Sequence, residues 1–249
     1  MAILFDLSRE LKTMISIRAL TLILFILCLP ATADEAVEYT PAGFAETDEP
    51  LQTLVKFPYS RKDSDVQIRC DTVITDAAEL NRIVCYGSDR KKMSYKNSIY
   101  DEIKEMKFVP ATINGEATTV IMQFSLHFVR KDRVENIYLY PNHGHDADKY
   151  GTDYTGVQRY DWGQWSSHDC RGHHLRYIVG TRASIGPDGS YLNHKLTKGE
   201  HDIGPCEADI DEHVKSGSYI PAMNDGVGVE AELVETFLNY MDPEVPYGY

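Results

Sequence analysis

The feature that most constrains this chain is a repeat. Ser98 to Gly115 reads SIYDEIKEMKFVPATING, and Asp209 to Gly226 reads DIDEHVKSGSYIPAMNDG. The two align without a gap at an offset of 111 residues, as from Phe108 to Tyr219. Ile99/Ile210, Lys104/Lys215, Pro110/Pro221, Ala111/Ala222 and Gly115/Gly226 are identical pairs. A period this long indicates duplicated domain-sized units and not a solenoid of short repeats.

Each block has a physical reading. Ser98 and Asp209 read as helix N-caps, with Asp101 and Glu212 at capping-box spacing. Ile99, Ile103 and Met106 fall on one helical face, as do Ile210 and Val214. An aromatic-aliphatic pair follows, and proline then ends the helix. Asn114-Gly115 and Asp225-Gly226 are tight-turn dipeptides. A strand comes next: Val120, Met122, Phe124, Leu126 and Phe128 alternate with Gln123, Ser125 and His127, one face buried. Val229, Ala231, Leu233 and Phe237 keep that register in the second block, where Glu235 breaks it on the core face. A hairpin precedes each helix: Val66–Thr75 with Leu80–Tyr86, and Leu175–Ile185 with Ser190–Leu196 around Pro187-Asp188-Gly189. The expected fold class is α+β. Each of two tandem units is a β-hairpin, helix and strand, forming a three-stranded antiparallel sheet covered by one helix.

The N-terminus reads as an export signal. Arg9, Lys12 and Arg18 precede an apolar run, Ala19 to Leu29, then Pro30 and Ala31-Thr32-Ala33. These are the parts of a secretory signal peptide. The run is shorter than the ~20 residues of a bilayer span; an uncleaved anchor is the alternative. The expected organisation is signal peptide 1–33, short linker 34–53, first unit 54–140, connector 141–169, second unit 170–241 and tail 242–249. The net charge of -13 becomes -14 once a leader of charge +1 is removed. A nucleic-acid partner is therefore not expected, nor is stable membrane insertion of the mature chain. Hydrophobic residues at 43% and charged residues at 25% place the chain among globular proteins.

Without the leader's Cys28, four cysteines remain: Cys70, Cys85, Cys170 and Cys206. Export favours disulfides, and four cysteines allow three pairings. Cys70 and Cys85 flank one hairpin on adjacent strands, which leaves Cys170 for Cys206.

Hairpin, helix, aromatic-x-Pro-Ala, glycine turn and long strand together resemble the TonB C-terminal domain. Phe57-Pro58 resembles the aromatic-Pro start of that domain. The likeness covers Leu54 to Arg130 and, less fully, Leu175 to Tyr240. It implies a periplasmic domain that binds a protein or peptide of the envelope, with a link to TonB-type transport. Binding would use an exposed sheet edge, where backbone hydrogen bonds give affinity. The candidate edges are Thr118 to Arg130 and Val229 to Tyr240, with Gln123, Ser125, His127, Glu232 and Thr236 as partner-facing residues. The alternative is that these two strands pair with each other and bury their edges. Phe108, Pro110, Ala111 and Gly115 are architectural, as are Tyr219, Pro221, Ala222 and Gly226. No Pro-rich spacer is present, so the chain departs from a full energy transducer. Dimerisation is left open.

The connector is rich in His, Asp, Tyr, Gly and Trp. No metal or other cofactor is expected. The rival reading is a metal-binding periplasmic protein using His143, His145, His168 and His173, whose spacings match no zinc motif. A third reading is a hydrolase using Cys170 or a histidine-bound metal. The disulfide reading of Cys170 favours no enzyme.

Overall fold

The computed structural model describes residues 37–47, 49–59, 62–86, 90–160, 177–198 and 206–239. The expected signal peptide, His168, His173, the Cys170–Cys206 bridge and the tail lie outside the described residues. No helix among the described residues is long and apolar enough to cross a membrane.

The described residues begin with β1 (Tyr39–Thr40), β2 (Gly43–Phe44), α1 (Leu51–Leu54), β3 (Ser64–Ile74), β4 (Leu80–Tyr86) and α2 (Arg90–Glu102). Then come β5 (Phe108–Val109), β6 (Ala111–Ile113), β7 (Glu116–Thr118), β8 (Val120–Lys131), β9 (Val134–Tyr140), α3 (Ala147–Tyr150) and β10 (Gln158–Arg159). The last elements are β11 (Tyr177–Ile185), β12 (Tyr191–Lys198), α4 (Cys206–Lys215), β13 (Tyr219–Ile220), β14 (Ala222–Asn224), β15 (Val227–Val229) and β16 (Ala231–Asn239). Ladders among the described residues are antiparallel, so the fold is α+β and sheet-rich.

Alternation on β8 sets the first core. Val120, Met122, Phe124, Leu126 and Phe128 are all buried. They meet Ile68, Cys70 and Ile74 of β3 and Tyr95 and Ile99 of α2. Each such side chain gains ~1.5–3 kcal/mol on burial, which fixes the face that turns inward. Cys70 and Cys85 lie directly opposite on β3 and β4 and form a disulfide. A bridge closing so short a loop contributes ~3 kcal/mol. A second core gathers Val179, Ala183, Ile185, Ile210, Val214 and Leu233.

The pairing registers of the two halves coincide. β3 pairs β8 from Ser64↔Arg130 to Ile74↔Val120, and β11 pairs β16 from Tyr177↔Asn239 to Ile185↔Ala231. Cys70↔Phe124 recurs as Thr181↔Glu235, and Ile74↔Leu80 as Ile185↔Tyr191, each displaced by 111 residues. Both hairpins are irregular at the same point, between Val73 and Ile74 and between Ser184 and Ile185. Left-handed residues coincide as well: Ala78 (φ 62) with Gly189 (φ 80), and Asn114 (φ 52) with Asp225 (φ 51).

A further equivalence lies ahead of each hairpin. A short arm, β2, pairs β5 through Gly43↔Val109 and Phe44↔Phe108. A second arm, β10, pairs β13 through Gln158↔Ile220 and Arg159↔Tyr219. Thr40↔Thr112 on the first arm matches Thr155↔Met223 on the second. Ala45 N–H donates to Lys107 O at 2.9 Å, and Tyr160 N–H donates to Ser218 O at 3.0 Å. Both arms carry the dipeptide Tyr-Thr, at Tyr39-Thr40 and Tyr154-Thr155.

Four expectations change. Helix α2 starts at Arg90, so Ser98 is inside it and no N-cap; its hydroxyl donates to Lys56 O. Helix α4 starts at Cys206, which puts Asp209 in its first turn. Pro110 ends no helix. It stands between β5 and β6, where the chain changes partner from β2 to β1 and β7. Lacking an N–H, proline suits such a corner. Finally, the second face of β8 is covered: Gln123 is 4% and Ser125 0% exposed.

Candidate functional site

Sheet edges were the sequence's candidate site, so the first question is which edges are open. β8 has ladders on both sides. β3 runs along one, while β9 covers Ser125 to Lys131 on the other and β10 meets it at Ile121. The edge expected at Gln123, Ser125 and His127 is therefore closed. β9 reaches only as far as Ser125, and β10 meets the remainder of that side at Ile121. Nor, among the described residues, do the two long strands pair with each other.

The side chains expected to face a partner are also engaged. Gln123 Nε2 donates to Asp71 Oδ1 at 3.0 Å and to Val234 O at 2.7 Å. Ser125 Oγ donates to Asn142 O at 2.9 Å. His127 Nε2 lies 2.6 Å from Asp65 Oδ1. Glu232 Oε2 accepts from Arg182 Nη1 at 2.9 Å.

β16 differs. It pairs β11 on one side, and among the described residues no strand pairs its other side. Side chains cap the first part of that edge. Glu232 N–H donates to Asp146 Oδ2 at 2.8 Å, and Glu230 O accepts from Tyr150 OH at 2.7 Å. Val234 O accepts from Gln123. Thr236, the position equivalent to Ser125, follows these capped residues.

The connector from Pro141 to Tyr160 has two uses. Its last residues form the second arm. Its first residues cover the outer face of β3 and β8. Asn142 organises that cover: Nδ2 donates to Thr152 O at 2.8 Å and Tyr154 O at 2.6 Å, and Oδ1 accepts from Gly144 N–H at 2.7 Å. His143 is 5% exposed. Its Nε2 donates to Cys70 O at 3.1 Å and lies 3.2 Å from Asp71 Oδ1. Tyr86 OH donates to Asp71 Oδ2 at 2.7 Å. Burial and the adjacent Asp71 carboxylate drive the Tyr86 phenol far above its ordinary pKa. His145 Nε2 is buried with no hydrogen-bond partner. Burial, then the Arg69, His143 and Arg182 charges, pushes His145 down to about 4. Such a ring is neutral near neutral pH.

A second polar group lies between β16 and the second arm. Arg159 is 2% exposed, with Nη1 3.3 Å from Glu235 Oε2. Its Nη2 donates to His213 O at 2.6 Å. Burial pushes the Glu235 carboxyl up, Arg159 pulls it back and Asp71 raises it again. Thr181 Oγ1 is buried without a partner on the strand opposite Glu235. Glu235 stood out in the sequence as an acid on a core face. Arg159 carried no such signal, because a two-residue strand has no periodicity to violate.

Among the described residues, no group of three or more His, Cys, Asp or Glu side chains is placed to hold a metal ion. The metal reading's His143 and His145 are adjacent, with ring centroids 6.1 Å apart, and His143 is committed to Cys70 and Asp71. Comparison with protein-family models, curated proteins and solved structures finds no match.

Proposed function

We propose that this chain is an exported, non-catalytic periplasmic binding protein that takes an extended envelope peptide on the outer edge of β16. In this reading its halves are tandem units resembling TonB C-terminal domains. The constant offset between the two register maps supports the tandem reading.

One contrast carries the binding reading. β9 covers β8 from Ser125 onward, and the equivalent stretch of β16, from Thr236, has no partner strand among the described residues. In an antiparallel strand the N–H and C=O of alternate residues point to the same side. Glu232 N–H and Val234 C=O point outward, so those of Thr236 do too. A peptide laid there adds a strand, with affinity from backbone hydrogen bonds.

Thr236→Pro tests this directly. It removes an outward N–H and leaves the inner ladder intact, the setting in which edge strands tolerate proline. Capture of a partner from envelope extract is expected to fail, with the circular dichroism spectrum unchanged. Equal capture by wild type and the folded variant would sink the reading. Edman sequencing of the exported protein is expected to begin at Asp34.

A further inference from the structure

The two arms sit side by side. Gln158, on the second arm, holds the first arm by one residue: its Oε1 accepts from Ala42 N–H at 2.8 Å and its Nε2 donates to Ala42 O at 2.7 Å. Each arm docks in a socket built the same way. The socket of the first arm is β5, with Phe108, and the side of β8 bearing Phe124. The socket of the second is β13, with Tyr219, and the side of β16 bearing Glu235. Two similar arms, in contact, next to two similar sockets, create an ambiguity that the matching β2–β5 and β10–β13 ladders do not resolve; β10 adds one bridge to β8, Arg159↔Ile121.

The side chains resolve it. In the first socket Phe44 lies against Phe108 and Phe124, with ring centroids 5.3 Å apart in both cases. In the second, Arg159 stands at the place of Phe44 and Glu235 at the place of Phe124. Arg159 Cζ sits 5.7 Å from the Tyr219 ring centroid and its Nη1 reaches Glu235. The arrangement of three groups is kept and its polarity is inverted at two of them. We infer that the Arg159–Glu235 pair, with side chains 2% and 12% exposed, is an address: it admits the second arm to its own socket and excludes the first.

The exclusion works in both directions. Phe44 in the second socket would set an apolar ring against the Glu235 carboxyl, and His213 O would lose its donor. Arg159 in the first socket would bury a guanidinium among Phe108, Phe124 and the apolar residues of the first core, with Phe124 standing where the second socket has its carboxylate. A buried charge without its partner is heavily disfavoured. Specificity of this kind rests on penalties for the wrong partner as well as contacts to the right one.

Cysteine trapping in the full chain reads the address. Gly43 and Val109 are Cα partners, and Ile220 is the equivalent of Val109 in the other socket. A Cβ at Gly43 meets nothing within 4 Å. Gly43→Cys with Val109→Cys is expected to bridge under mild oxidation, whereas Gly43→Cys with Ile220→Cys stays open, as scored by peptide mapping. Adding Arg159→Phe and Glu235→Phe to the second pair erases the address, and its crossed bridge is then expected to rise from background towards the native yield. A folded address-less variant that still shows only background crossing overturns the proposal, as does crossing in the unaltered background. The reciprocal transplant gives a second reading. Phe44→Arg should lower the unfolding midpoint, and adding Phe124→Glu should restore part of that loss. A further drop on adding Phe124→Glu counts against an address.

Discussion

Where the first half buries Phe124 against Phe44, the second half sets Glu235 against Arg159. Where the first half carries Asp71, held by Tyr86, Gln123 and His143, the second carries Arg182, paired near the surface with Glu232. The β3–β8 and β11–β16 ladders share one register, as do the β2–β5 and β10–β13 ladders, although β10 also bridges β8. One register thus accepts either an aromatic cluster or an ion pair, provided that the whole set changes together. The half with the apolar socket also has its long strand covered on both sides, whereas the polar half leaves part of β16 without a neighbouring strand among the described residues.

The largest break in this comparison comes from splitting the polar set. Glu235→Ala removes the carboxylate beside the Arg159 guanidinium, whose side chain is only 2% exposed. The expected loss is ~3–5 kcal/mol, while Arg159→Met with Glu235→Leu recovers most of it. Urea unfolding of the three proteins measures both. A Glu235→Ala midpoint close to wild type would mean that the other contacts of Arg159, His213 O and the Tyr219 ring among them, suffice to hold it.

A smaller contrast separates equivalent positions on β3 and β11. Asp71→Ala leaves Tyr86 OH and Gln123 Nε2 short of an acceptor, an expected loss of ~1–3 kcal/mol. Arg182→Ala removes a pair whose side chains are 49% and 30% exposed, so its cost is expected within ~1 kcal/mol. Thermal unfolding of both variants ranks them; the reverse order would show that Arg182 is the more deeply used residue.

The smallest effect is pH-dependent and belongs to the connector. The His145 pKa is lowered from 6.5 to about 4 in the folded chain. As pH falls below 6.5, the unfolded chain takes up a proton that the folded chain refuses. Stability therefore declines between about pH 6.5 and 4, then levels off. With allowance for partial exposure this amounts to on the order of 1 kcal/mol. His145→Asn is expected to flatten that part of the stability profile, and an unchanged slope would assign it to other groups.

Much of the fold was legible because local chemistry and tertiary structure agree. The alternation on β8, the turns at Asn114-Gly115 and Asp225-Gly226, and the Cys70–Cys85 bridge each need only a few neighbouring residues. Helix α2 was cut short because Arg90 to Lys96 is too polar to show an apolar stripe. The Pro110 corner looks like a helix stop in the sequence because proline punctuates both. The arms left no trace beyond Tyr-Thr, since two-residue strands carry no pattern. The closed edge of β8 was hidden because β9 and β10 reach it from different parts of the chain. Of the candidate site, Glu235 was visible as an anomaly and its partner was not.

Ile220 packs in the first core, although it belongs to the second half. That core opens its construction with β3 and β8 and is not sealed until β13 arrives, 100 residues after Val120. During vectorial emergence from a ribosome, the first half waits with apolar surface uncovered. Long-range closure of this kind slows folding and exposes the chain to self-association. The first core is in this sense completed by the second half, and a holding chaperone would find its opportunity in the interval between β8 and β13.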